Sequence, residues 1–183
     1  MPEICSYQLI GDSLLLRFAE KILGQHSKLD SESGKYVLGL CVNGQNLKQL
    51  KARIKERKYP ISENVIVLIG TNDLLQSTPR VDMERRMLKL VKKLQEKAKR
   101  IIILTLPPVP RLAFKQEHWK KLLKYNKFLL TLESEDSIRV ADIYPLYVTA
   151  YQTCKMAFFE KFFTSGRKKN MKDMNPSQQI RFD

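Results

Sequence analysis

The stretch VIVLIGTNDLL, residues 65–75, sets the fold class. Val65 to Ile69 run without polar alternation, the pattern of a strand covered on both faces, and Gly70 ends the run. Thr71, Asn72 and Asp73 then form a small polar loop at the strand's carboxyl end, where ligand sites form in open parallel sheets.

Four further apolar runs bounded by Gly, Pro, Asn or Asp share this pattern: CSYQLIG (5–11), YVLGLCVNG (36–44), RIIILTLPP (100–108) and SIRVAD (137–142). Amphipathic helical patterns separate them. Residues 13–24 follow Asp12 as an N-cap, Leu47, Leu50 and Ile54 form a stripe in a second helix, and Met87, Leu88, Val91, Leu94 and Ala98 form one in a third. A fourth helix is predicted over Gln116 to Leu132, with Trp119, Leu122, Leu123 and Leu129 inward. This alternation predicts a three-layer α/β/α sandwich around a five-stranded parallel sheet. Residues 143–163 are aromatic and partly helical in pattern, whereas GRKKNMKDMNPSQQ, residues 166–179, reads as a charged loop. No internal repeat or dividing linker interrupts the chain, so one domain is expected over residues 1–183.

Composition narrows the function classes. Cys5, Cys41 and Cys154 are too few and too scattered for a disulfide framework or a metal knuckle, so reduced thiols in an intracellular protein are expected, with no metal and no cofactor. The N-terminus lacks the basic and apolar regions of a signal peptide, and no run approaches the roughly 18 apolar residues of a membrane span. A soluble, cytoplasmic protein is expected. The formal net charge of +14 and a pI near 9.7 point to polyanionic company: nucleic acid, anionic lipid or acidic proteins.

Three strand ends carry chemistry-bearing residues. The first ends in Gly11, Asp12, Ser13, placing a serine hydroxyl at a helix start beside free backbone N–H groups. The second ends in Asn43, Gly44, and Gly44 lets its backbone approach a ligand closely. The third carries Asn72, whose amide suits an oxyanion. The structural alternative is that Ser13 caps its helix, Asp12 braces neighbouring loops and Asn72 satisfies buried backbone groups.

Taken together and in this order, the three loops resemble the blocks of the SGNH, or GDSL, hydrolase family. LTLPPVP, residues 104–110, is similar to that family's proline-rich turn. The resemblance implies Ser13 as nucleophile, with Gly44 and Asn72 in the oxyanion hole. It breaks at the family's terminal Asp-x-x-His, where the nearest match, Lys172-Asp173-Met174-Asn175-Pro176, has lysine for the aspartate and asparagine for the histidine. The sequence holds two histidines, His26 and His118, both far upstream. A serine without its base stays a protonated alcohol, and losing the triad histidine costs on the order of a millionfold in turnover. The reading is a vestigial hydrolase site at Ser13, Gly44 and Asn72. An active serine esterase with a non-standard base, His118 or Asp173, is the alternative.

The cations fall in runs. KQLKARIKERK, residues 48–58, sets Lys48, Lys51, Lys55 and Lys58 on one helical stripe, with Glu56 the sole acid. RRMLKLVKKLQEKAKR, residues 85–100, directs Arg86, Lys93, Lys97 and Arg100 outward, with Glu96 the sole acid. Arg167, Lys168, Lys169 and Lys172 lie in the charged loop after Phe158, Phe159, Phe162 and Phe163. A single basic run is most simply a solvated face, but balanced salt bridging would have placed more acids in these. The apolar stripes are needed by the sheet, which disfavours a membrane surface and leaves RNA or DNA as the better partner, bound through phosphates. A scaffold for acidic proteins is the third reading.

An SGNH-like pattern that keeps GDS and GTND, lacks the terminal histidine and is strongly basic resembles the OSK domain family, the C-terminal SGNH-like domain of insect germ-plasm organisers. That resemblance implies a non-catalytic RNA-binding domain that takes mRNA, together with germ-granule proteins, into cytoplasmic assemblies, within a longer protein that carries an upstream LOTUS domain.

Overall fold

The computed structural model describes residues 1–56, 59–109, 115–134, 136–149 and 154–155. At its centre lies β6 (Asn64–Leu68), the strand of the VIVLIGTNDLL stretch. It pairs in parallel with β2 (Tyr7–Gly11) on one side and β7 (Arg100–Leu104) on the other. β5 (Cys41–Val42) continues the parallel set beyond β2, and β8 (Ile138–Ala141) continues it beyond β7. The five parallel strands therefore run β5-β2-β6-β7-β8. Successive residues of a strand face opposite sides, and Leu9 with Ile10, and Val67 with Leu68, are all buried. Both faces of the sheet are therefore covered.

The sheet extends past its parallel part. β4 (Lys35–Leu38) pairs antiparallel with β5, β3 (Lys28–Asp30) pairs antiparallel with β4, and β1 (Glu3–Ile4) pairs antiparallel with β2. The run at 36–44, expected as one strand, is thus a hairpin. Gly39, at φ 60°, reverses the chain so that Leu38 lies opposite Cys41.

α1 (Ser13–Ile22) starts at its predicted cap, where Asp12 Oδ1 accepts from the Leu14 N–H at 2.9 Å. α2 (Leu47–Glu56) buries the expected Leu47, Leu50 and Ile54. Its entry is a reciprocal cap: the Gln49 N–H donates to Asn46 Oδ1 at 3.0 Å, and the Asn46 N–H donates to Gln49 Oε1 at 3.1 Å. α3 (Thr71–Leu75) is a short turn after β6. α4 (Arg80–Gln95) buries Met83, Met87, Leu90, Val91 and Leu94, while Leu88, expected inward, is exposed because Leu90 takes the core-facing position. α5 (Gln116–Leu130) buries Trp119, Leu122 and Leu129 as expected and adds Tyr125 and Asn126, with Leu123 half-buried. Buried Asn126 accepts from the Leu106 N–H and donates to the Leu106 carbonyl, both at 2.9 Å, giving the chain beyond β7 the pairing that a strand would supply.

Candidate functional site

The loops after β2, β5 and β6 meet at the carboxyl edge of the parallel strands, and Gln45 joins them. Its buried side-chain amide donates to the Gly11 carbonyl at 2.9 Å and to the Leu40 carbonyl at 3.1 Å. Its own backbone carbonyl accepts from Asn72 Nδ2 at 2.8 Å. Asn72, expected to be an oxyanion donor, thus has one N–H of its amide directed at Gln45. Gly44 adopts φ 69°, and a Cβ there would meet nothing within 4 Å, so backbone conformation rather than crowding calls for glycine. Gly11 is the opposite case: a Cβ would stand 2.1 Å from the Leu68 carbonyl oxygen. The glycine of the GDS motif is there for close strand approach.

Ser13 opens α1, half-buried, and its hydroxyl forms no hydrogen bond with any described residue. Asp12 beside it is fully buried, and burial pushes its carboxyl up to about 6 despite the bond from Leu14. Asp12 Oδ2 and the hydroxyl of Thr71 are both buried close to one another, yet neither has a hydrogen bond of good geometry among the described residues. His118, at the start of α5, lies in a small apolar depression with Leu74, Val109, Trp119 and Leu122, its Nδ1 buried without a hydrogen-bond partner among the described residues. His26 is exposed. Neither imidazole is hydrogen-bonded to Ser13. Among the described residues, no group of three His, Cys, Asp or Glu side chains is placed to hold a metal ion.

Asp73 has a structural task. Its fully buried carboxylate accepts from the Leu47 N–H at 2.9 Å, in the first turn of α2, and from Arg86 of α4 at 3.2 Å. Burial nonetheless raises its pKa, with the Leu47 bond and Arg86 opposing the rise. Arg86, expected to face outward, is turned in to this buried acid. Arg100, also placed on the third helix by the sequence pattern, is the first residue of β7.

Other cations of the two runs do reach solvent. Lys48, Lys51 and Lys55 are exposed on α2 and form no ion pair among the described residues. Helices α2 and α4 lie side by side, and between their C-terminal turns is a groove of about 440 Å³ lined by Ile54, Lys55, Lys93, Glu96 and Lys97. Two runs separate in sequence thus share one surface. Lys58, Arg167, Lys168, Lys169, Lys172 and Asp173 lie outside the described residues.

The OSK domain family model matches residues 1–175. The chain belongs to the OSK domain family. This OSK domain is 26% identical over 128 residues to the maternal effect protein oskar of Drosophila virilis, a match covering 69% of this chain and 21% of that protein. It is 27% identical over 128 residues to the Drosophila melanogaster protein, covering 69% and 20%. The chain spans about a fifth of the length of these relatives. The crystal structure of the OSK domain of Drosophila Oskar superposes with a TM-score of 0.77 at 22% identity, covering 85% of this chain and 73% of that one, a likeness of fold. The architecture is the α/β sandwich with a mostly parallel sheet predicted from the apolar runs.

The roles of two site-shaping residues of this OSK domain escape sequence reasoning. Gln45 and Asp73 both follow strands, but a polar residue in a loop shows no periodicity. Only the proximity of Gly11, Leu40 and Asn72 to one, and of Leu47 and Arg86 to the other, gives them their roles.

Proposed function

We propose that this OSK domain is a non-catalytic RNA-binding module that engages mRNA phosphates through its basic surfaces, in cytoplasmic assemblies with germ-granule proteins. The observation that carries the reading is the face of α2, where Lys48, Lys51 and Lys55 stand in solvent without an acidic partner among the described residues, on a chain of net charge +14. Such a stripe repels itself until polyanion neutralises it. Lys58 extends the stripe in sequence, and Arg167, Lys168, Lys169 and Lys172 form the second proposed contact. The non-catalytic half of the reading is supported at Ser13, whose hydroxyl has neither histidine within hydrogen-bonding reach, since an unassisted serine attacks esters poorly.

Filter binding of single-stranded RNA at low and moderate salt tests the first half. Affinity should fall steeply with salt, and an affinity indifferent to salt contradicts a phosphate-driven mode. A fluorophosphonate probe tests the second half: labelling of Ser13, lost in Ser13→Ala together with turnover of short acyl esters, would restore the esterase reading.

A further inference from the structure

We propose that the groove between the C-terminal turns of α2 and α4 seats consecutive phosphates of one RNA strand without reading its bases, and that Glu96 holds Lys93 there until phosphate displaces it. The proposal rests on the RNA-binding reading above and assigns it a place. Lys55 reaches the groove from the last turn of α2, Lys93 from the last turn of α4, and Lys97 from the residues just after it. Helix C-termini favour nearby cations, which is why lysines occur there. Two such ends side by side bring three ammonium groups together against one carboxylate, a local excess that one helix would not create.

The lining narrows the ligand. Among the described residues no aromatic side chain lines the groove, so it offers bases nothing to stack on. Ile54 is only 1% exposed, so it offers no apolar floor to an acyl chain. Lysines serve as mobile point charges rather than rigid forks, which suits a backbone bound in any register. The Lys93–Glu96 ion pair spans three residues across the helix end, and the hydrogen bond from Lys93, with the charges of Lys93, Lys92 and Lys97, holds the Glu96 carboxyl below its usual range. Glu96 is thus an internal anion in the place an incoming phosphate would take.

The test measures binding of oligo(U) and oligo(A) RNA to the whole chain across a salt series. Replacing Lys55, Lys93 and Lys97 together with Gln should weaken binding of both oligomers about tenfold at low salt and reduce the log–log salt slope by about 1.4 to 2.1, the share of two or three single-strand phosphate contacts. Glu96→Gln should tighten binding severalfold and steepen the slope, whereas Glu133→Gln, which removes the partner of Arg139 elsewhere on the surface, should do neither. Equal effects of Glu96→Gln and Glu133→Gln would reduce the groove to bulk charge and overturn the proposal. So would unchanged binding by the triple variant with its unfolding midpoint intact, an outcome that leaves the RNA reading standing with its contacts elsewhere. A triple variant that loses binding to phosphatidylserine vesicles but keeps RNA would also overturn it. Failure of the unsubstituted chain to bind either oligomer at low salt would remove the RNA reading and the groove together.

Discussion

The Asn72 side-chain amide donates to the Gln45 backbone carbonyl at 2.8 Å, while the Gln45 side chain reaches back to the carbonyls of Gly11 and Leu40. One residue therefore fixes the relative placement of the three loops that carry Ser13, Gly44 and Asn72. Gln45→Leu keeps the bulk and removes both donors, leaving buried carbonyls without these partners, and should cost about 2 to 3 kcal/mol. Urea unfolding would show this as a lower midpoint at constant m-value. A midpoint unchanged from wild type would mean that the loops hold their places without Gln45.

Gly11 tests the same edge of the sheet from the backbone side. A methyl group there meets the Leu68 carbonyl oxygen at 2.1 Å and Leu15 Cδ1 at 3.1 Å, and the carbonyl belongs to the paired strand and has no rotamer to change. Gly11→Ala should cost about 3 kcal/mol or more, because β2 and β6 must separate to admit it. Thermal unfolding followed by circular dichroism reads the effect. An alanine variant melting like wild type would show that the strands part easily.

The legibility of this fold in its sequence follows the same division between pattern and proximity. VIVLIG and RIIIL announce buried parallel strands because a continuous apolar run has few other uses in a chain of this length. The hairpin at Gly39 stays hidden, since YVLGLCV scans as one apolar run and only the φ of its glycine turns it back. Asp12 is readable as a cap from its position alone. Arg86 is not readable as inward, because its partner Asp73 lies thirteen residues away on a different helix. The paired basic runs are each plain in sequence, but the groove they form depends on α2 packing beside α4.

Asp12 makes a pH prediction whose sign is fixed by its burial. Its folded-state pKa of about 6 lies above the ordinary 3.8, so between these values the native chain binds more protons than the unfolded chain. The stabilising effect of protonation is complete below the unfolded value and is lost as pH rises through 6. A shift of this size corresponds to about 3 kcal/mol. Asp12→Asn keeps an acceptor for the Leu14 N–H and removes the charge. Its stability relative to wild type should therefore improve from pH 4 to pH 7.5, read by urea unfolding across that range. A constant difference between the two proteins over the range would place the Asp12 pKa near its ordinary value.

Arg86 and Lys51 separate the two uses of positive charge on this domain. Arg86 bonds a carboxylate that is fully buried, while Lys51 stands in solvent with no ion pair among the described residues. Removing one partner of a buried pair leaves the other charge uncompensated, and since the Arg86 side chain is itself 33% exposed, Arg86→Gln should cost about 2 kcal/mol of stability. Its effect on RNA affinity, measured well below the unfolding midpoint, should be small, because the guanidinium is already engaged by Asp73. Lys51→Gln should show the converse: unchanged unfolding, and a log–log salt slope for single-stranded RNA lower by about 0.7, one phosphate contact. If the arginine substitution shifts the salt slope and the lysine substitution shifts stability instead, the assignment of Asp73 as a structural anchor and of α2 as the phosphate-facing surface is reversed.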